Sequence, residues 1–155
     1  MSSTGPPVVR PAATDDAPRV RDIVNSAYQI YVPRIGRKPG PMLDDYAKRI
    51  AEGQVWVLDD GGGDLAGVLV LEESADGFLL DNIALAPLYQ GKGLGRVLLT
   101  FAEERAVQRG WHDIRLYTNA AMTENMALYR HVGYVETARV TEKGFDRIYM
   151  SKHLA

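Results

Sequence analysis

Asn82-Ile-Ala-Leu-Ala-Pro-Leu-Tyr-Gln-Gly-Lys-Gly-Leu-Gly-Arg96 is the stretch that decides how this chain of 155 residues reads. Its apolar first part is the end of a strand that Pro87 stops. A glycine-rich loop comes next, and a helix begins near Gly93 or Leu94. Glycines at 91, 93 and 95 let the backbone turn sharply and let an anion approach its N–H groups. The first turn of the helix adds unpaired donors and the positive end of its dipole, and Lys92 and Arg96 add side-chain charge. The combination suits phosphate binding; a solvated glycine turn with a helix cap is the alternative. Two familiar phosphate loops fail against the residues. A Walker A loop needs Gly-x4-Gly-Lys-Ser/Thr, and a dinucleotide fingerprint needs a third glycine where Arg96 or Leu98 stands.

Outward from the loop, the chain alternates strand and helix signals. Residues 78–85 form an apolar strand before it. The helix after it carries Leu94, Val97, Leu98, Phe101, Ala102 and Ala106 as its buried stripe and ends at Arg109-Gly110. Residues 114–118 read as a strand and 123–131 as a short helix closed by Gly133. Strands at 134–140 and 145–152 then enclose a turn at 142–144. Upstream, strands at 54–58 and 64–71 flank Asp59-Asp-Gly-Gly-Gly63, a hairpin signature. Earlier still, a short strand at 8–10 is stopped by Pro11, and Thr14, Asp15 and Asp16 open a first helix that reaches about Tyr31. Pro33, Gly36, Pro39, Gly40 and Pro41 break the stretch after Tyr31. A second helix places Leu43, Tyr46, Ala47, Ile50 and Ala51 on one face and stops at Gly53. The order β-α-α-β-β-β-α-β-α-β-β is that of a mixed α/β domain whose second half favours a central parallel pair.

Composition narrows the function classes. Apolar residues make up 46% and charged residues 25% of the chain, as in a soluble globular protein rather than a disordered one. One domain over 8–155 is expected after a flexible tail at 1–7 that has neither the basic nor the apolar region of a signal peptide. Cysteine is absent, which excludes disulfides, thiolate nucleophiles and Cys-based metal sites and fits a cytoplasmic protein. With 18 basic against 20 acidic residues the net charge is -2, the wrong sign for a nucleic-acid partner. No apolar run approaches the ~18–20 residues of a membrane span. His112, His131 and His153 lack metal-ligand spacing, so no metal is expected, and no Gly-x-Ser-x-Gly marks a serine nucleophile.

Three ordered patterns then converge. The loop contains Gln-x-x-Gly-x-Gly as Gln90, Gly93 and Gly95; Ile83-Ala84-Leu85-Ala86-Pro87 precedes it; Leu128-Tyr129-Arg-His-Val-Gly133-Tyr134 ends the short helix. Together they resemble the acetyl-CoA pyrophosphate loop, the strand before it and the Leu-Tyr-x-x-x-Gly-Phe/Tyr segment of the GNAT superfamily of N-acetyltransferases. The likeness is close over residues 78–134, and the element order agrees along the whole chain. It implies a mixed, mostly antiparallel sheet with a splayed central parallel strand pair and flanking helices. It also implies transfer of an acetyl group from acetyl-CoA, as co-substrate and without a metal, to a primary amine of a small-molecule acceptor. A non-catalytic acyl-CoA-binding regulatory module and a transferase preferring a longer acyl group stay open as alternatives, as does a homodimer.

The resemblance assigns roles residue by residue. A bulge in the strand before the loop splays it from the next parallel strand, and the pantetheine arm lies in the gap against the backbone of Ile83, Ala84 and Leu85. The Leu85 N–H points toward the thioester oxygen. Gln90, Gly91, Lys92, Gly93, Leu94, Gly95 and Arg96 hold the pyrophosphate. Asn119 and Asn125 occupy positions that contact pantetheine. The family's commonest form puts an asparagine seven residues before the tyrosine, where Met122 stands here, and Asn125 lies one helical turn from Tyr129 instead.

Tyr129 is the expected proton donor to the leaving thiolate, because a phenol of pKa ~10 holds its proton at pH 7. Without the resemblance it reads as a core aromatic of an amphipathic helix. For the base, Asp81 shares strand parity with Ile83 and Leu85 and could act through water; a solvated edge acid is the other reading. Some family members carry a glutamate on the following strand, where Tyr117 stands. The loop from Tyr31 to Met42 borders the acceptor pocket in this family, making Tyr31, Arg34 and Arg37 the candidate acceptor residues. Two arginines in a proline-stiffened loop suit a carboxylate or phosphate, hence a small zwitterionic or anionic amine.

Overall fold

The structure, a computed structural model, describes residues 5–154. Of the tail expected at 1–7, residues 1–4 lie outside the described residues, and the Gly5 N–H donates to the Gly61 carbonyl at 3.2 Å. Among the described residues seven strands form one sheet: β1 (Val8–Pro11), β2 (Val55–Asp59), β3 (Leu65–Ser74), β4 (Gly77–Leu85), β5 (Asp113–Asn119), β6 (Val135–Glu142) and β7 (Phe145–His153). Their order is β1-β2-β3-β4-β5-β7-β6, antiparallel throughout except for β4 beside β5. The helices are α1 (Ala17–Tyr28), a one-turn α2 (Val32–Ile35), α3 (Tyr46–Ala51), α4 (Leu94–Gln108) and α5 (Thr123–His131). This is the mixed, mostly antiparallel sheet with a central parallel pair that the resemblance implies. Among the described residues no helix is long and apolar enough to cross a membrane.

Burial explains the layering. Residues 65–71 of β3 are buried on both faces, as their unbroken apolar run requires of a strand in mid-sheet. One face carries α4 and α5, where Leu98, Leu99, Ala102 and Met126 pack on Leu69, Leu80, Leu116 and Ile148. The other carries α1 and α3, where Val20, Val24, Tyr28 and Tyr46 pack on Val57, Val68, Val70 and Ala84.

Several local expectations change. β1 runs through Pro11 rather than stopping before it, since an edge strand tolerates a residue without an N–H. Pro33 does not break the chain's helical course; it sits in the first turn of α2, where its missing N–H costs no bond. The face proposed for the second helix shrinks to Tyr46 and Ile50. Asp45 caps α3 by accepting from the Lys48 N–H at 3.1 Å, which leaves Leu43 outside the helix, and Leu43, Ala47 and Ala51 are exposed. On α4, Leu99 joins the buried stripe and Val97 faces solvent.

One irregularity positions the site. Along β3 and β4, Val70 faces Asn82 while Leu71 faces Leu80, so Asp81 is an extra residue without a partner. The parallel pairing of β4 with β5 is confined to Leu79 with Arg115 and Leu80 with Leu116. Beyond the bulge β4 continues to Leu85 and β5 to Asn119 with no pairing between them. The sheet is split there.

Candidate active site

The split leaves backbone groups without a neighbouring strand. The Ala86 N–H donates to the Ala66 carbonyl at 2.9 Å. Ladder groups alternate in direction, so those of Ile83 and Leu85 turn away from β3 toward the gap. Their carbonyls meet side chains: Ile83 accepts from the Tyr28 hydroxyl at 3.2 Å and Leu85 from the Gln90 side-chain amide at 3.1 Å. What faces the gap is a pair of N–H donors.

At the end of β4 the glycine loop leads into α4. Gly93 is the N-cap residue of α4 in the left-handed region (φ 77°), and no side chain caps the helix. Gly91 shares that conformation, and around both glycines the space a Cβ would occupy is open. The first turn of α4 thus begins beside an open glycine turn with no side chain capping it. Leu94 and Gly95 continue that turn, a Cβ on Gly95 lying 3.7 Å from the Leu128 side chain. Lys92 and Arg96 are exposed beside it, with the Lys92 Nζ 5.8 Å from the Tyr89 ring centre. Tyr89 is fixed in turn by a 2.6 Å bond to Asp60. The Gln90 side-chain amide turns back to close the loop on Leu85.

Below the split lies a cavity of about 320 Å³. Asp81, Tyr117, Asn119, Asn125, Tyr129 and Arg147 all line it. The bulge directs Asp81 and Asn82 toward the α1 and α3 layer, whereas Ile83 and Leu85 pack toward α4. The strand-parity expectation for Asp81 is thereby corrected: it shares no face with Ile83 and Leu85. It enters the cavity because it is the unpaired residue. Its carboxylate lies 3.5 Å from Arg49 Nη2. Burial pushes the Asp81 carboxyl above its ordinary range, against the opposing pull of Arg49.

Beside Asp81, Asn82 anchors the bulge. Its amide donates to the Tyr46 hydroxyl at 2.9 Å and accepts from the Tyr28 hydroxyl at 2.7 Å. Tyr46 passes the chain on to the Pro41 carbonyl at 2.6 Å, so strand, helix and the proline loop on the cavity wall are locked together.

Tyr129 is 4% exposed, packs edge-on against Tyr134, and lines the cavity from α5. Its hydroxyl makes no hydrogen bond among the described residues, and burial raises its pKa well above that of an ordinary phenol. Asn119 uses its side-chain oxygen to accept from the Ala121 N–H at 2.9 Å, shaping the turn into α5.

The candidate acceptor residues lie elsewhere. Tyr31 is buried against Tyr28, Arg34 is bonded to Glu124, and Arg37 lies over the Phe145 ring at 4.1 Å; none of the three lines the cavity. The reason is local: both guanidiniums find a partner on the protein's own surface. Arg49, Asn82 and Arg147, which the sequence reading did not single out, do line the cavity. Asp81-Asn82, two polar residues inside an apolar strand, was the available signal of a bulge. Nothing local marks Arg49 or Arg147.

Comparison with known proteins agrees with this geometry. The family model described as acetyltransferase (GNAT) domain matches residues 51–136, more than half of the chain. The chain is 29% identical over 138 residues to the uncharacterized N-acetyltransferase YjgM of Escherichia coli (strain K12), covering 83% of this chain and 81% of that protein. It is 31% identical over 86 residues to streptothricin acetyltransferase of Streptomyces lavendulae, covering 54% of this chain but 46% of that relative, so it spans less than half of that relative's length. In fold it is similar to the PaiA N-acetyltransferase of Thermoplasma acidophilum solved in complex with coenzyme A, with a TM-score of 0.75 at 18% identity over 95% of this chain and 98% of that one. A split parallel pair, an uncapped helix behind a glycine turn and a family match across both place this chain in the GNAT acetyltransferase family.

Proposed function

We propose that this protein transfers the acetyl group of acetyl-CoA to a primary amine of a small acceptor, by direct attack of the amine on the thioester. The observation that carries the reading is the split beyond Leu80, which joins the glycine turn at one end to the cavity holding Asp81 and Tyr129 at the other.

The residues fit acetyl-CoA on two counts. The turn at Gly91 and Gly93 is open where side chains would stand, and the uncapped start of α4 offers donors to a pyrophosphate. The free N–H groups of Ile83 and Leu85 suit an amide-bearing arm laid along the strand as an added neighbour would lie. Lys92 and Arg96 supply charge at the loop, and Asn119 and Asn125 supply polar groups on the far wall. Acetyl-CoA brings an activated acyl group with a thiol as its leaving group.

The protein's residues then divide the work. Asp81 accepts the proton that an ammonium must lose before it can attack. The Leu85 N–H donates a hydrogen bond where negative charge grows on the thioester oxygen. Tyr129 donates its proton to the departing sulfur. Desolvation that keeps the phenol protonated also raises the proton affinity of a thiolate in the same place, so the transfer stays matched. One C–N bond forms, one C–S bond breaks, and solvent returns the protons to Tyr129 and from Asp81.

A thiol-release assay with acetyl-CoA and an amine panel tests the reading. Amine-dependent release, with longer acyl-CoAs slower, supports it. CoA binding without release by any amine would mean a non-catalytic acyl-CoA-binding module, and faster release from a longer thioester a different acyl preference.

A further inference from the structure

On the acetyltransferase reading above, we propose that the acceptor carries a carboxylate as well as its amine, with the ammonium held at Asp81 and the carboxylate at Arg147.

Two arginines line the cavity, and they differ in what they have left to give. Arg49 is spent. Its Nε donates to Asp44 at 2.5 Å and its Nη1 to Gln54 at 3.0 Å, while Glu72 lies 3.6 Å from Nη1 and Asp81 3.5 Å from Nη2. Arg147 has one ion partner among the described residues, donating from Nη1 to Glu142 at 3.1 Å, with the Tyr149 hydroxyl beside the guanidinium. Its Nε and Nη2 meet no carboxylate other than that of Glu142 within 4 Å among the described residues. The guanidinium also lies against two aromatic rings, its Cζ 4.6 Å from the Tyr117 ring centre and 5.7 Å from that of Phe145. A planar fork packed on aromatic rings, with fewer ion partners than Arg49 and facing the cavity, suits a carboxylate.

Asp81 presents the opposite need. It faces the same cavity, makes no hydrogen bond among the described residues, and has only the already shared Arg49 within 4 Å as an ion partner. A desolvated carboxylate in that condition is satisfied by an ammonium. The two charges are carried by β4 and β7, on either side of β5, with Tyr117 of β5 also on the wall. A zwitterion pairs both. A polyamine or a lysine-rich tail would set a second cation against Arg147, at a Coulombic cost that a carboxylate avoids. The volume of about 320 Å³ also belongs to a small molecule.

This moves acceptor recognition from the loop of Arg34 and Arg37 to β7. The test compares amino acids of graded amine-to-carboxylate separation, each against the amine that lacks the carboxylate, together with spermidine and a lysine-rich peptide, in the thiol-release assay. The expected result is a preference for at least one carboxylate-bearing member of about 10- to 100-fold in kcat/KM over its partner. Arg147→Gln should bring that ratio toward one through the KM of the carboxylate-bearing member, with Arg147→Lys intermediate and the fold checked by circular dichroism. The proposal is overturned if wild-type protein prefers the amines lacking a carboxylate, spermidine or the peptide, or if Arg147→Gln slows both members of a pair equally. Release with amines but no carboxylate preference defeats this proposal alone. Bound CoA with no release from any amine defeats the transferase reading and takes this one with it. Should Arg147→Gln not fold, the wild-type ratio and Arg147→Lys still decide.

Discussion

The guanidinium of Arg34 and the carboxylate of Glu124 meet through two parallel hydrogen bonds, Nη1 to Oε1 at 2.7 Å and Nη2 to Oε2 at 3.0 Å. The pair ties α2 to the first turn of α5, the helix that carries Tyr129. Arg34 holds the Glu124 carboxyl down at about 2. A carboxyl lowered on folding contributes stability above its ordinary range and loses that contribution as pH falls through the folded value. Both side chains are exposed, so the contribution to stability is small and salt-sensitive. Carboxyl titration by NMR should place Glu124 at about 2 in the wild type and move it upward in Arg34→Ala, by less than a full return because the Thr123 hydroxyl and a backbone N–H also hold it down. An unchanged Glu124 titration in that variant would show that the bond is absent in solution.

Tyr129→Phe removes the proposed proton donor and little else, since the hydroxyl bonds to no described residue. Turnover should fall by roughly 10²–10⁴ with CoA affinity kept by calorimetry. A loss confined to KM would make Tyr129 a binding residue instead.

The pH profile of kcat/KM should rise through an acid limb set by Asp81, displaced upward from an ordinary aspartate by burial. Arg49 pulls that carboxyl down, so Arg49→Gln should move the limb to higher pH. Asp81→Asn should abolish it together with most of the rate. A limb that stays in place in both variants would assign the base to another group.

Gly93→Ala places a methyl group in open space but at φ 77°, which costs about 1–2 kcal/mol for a residue with a Cβ. The variant should fold and lose at least about tenfold in CoA affinity, the Cβ standing where the pyrophosphate must approach. Gly93→Asn separates the two effects, because asparagine tolerates the left-handed region. If it binds CoA as the wild type does, conformational strain rather than obstruction explains the alanine result.

Periodicity carried most of the fold. The apolar runs located β2 to β7, and the amphipathic stretch from Thr123 to His131 matched α5 residue for residue. Helix faces were less legible. Leu43, Ala47 and Ala51 continue an apolar pattern that Asp45 interrupts by capping α3 two residues after Leu43, and a cap changes which residues belong to the helix at all. The site divides in the same way. Tyr129 and the glycine turn are local patterns and could be read locally. The side on which Asp81 falls could not, because alternation presumes an unbroken ladder. Arg147 is an arginine in an alternating strand like any other until β7 settles between β5 and β6. Glu124, which occupies Arg34, is 90 residues away from it in sequence.

The extra residue on β4 behaves like a frameshift within a strand. Phe78 and Leu80 address the α4 layer in one phase, and Ile83 and Leu85 address the same layer in the other. Deleting Asp81 would leave Leu80 opposite Leu71 and Asn82 opposite Val70, so every remaining side chain would keep its layer. The two cores do not require that residue; the opening between β4 and β5 does. The opening is therefore encoded in a residue count, which a deletion can erase and an exchange of one side chain for another leaves intact.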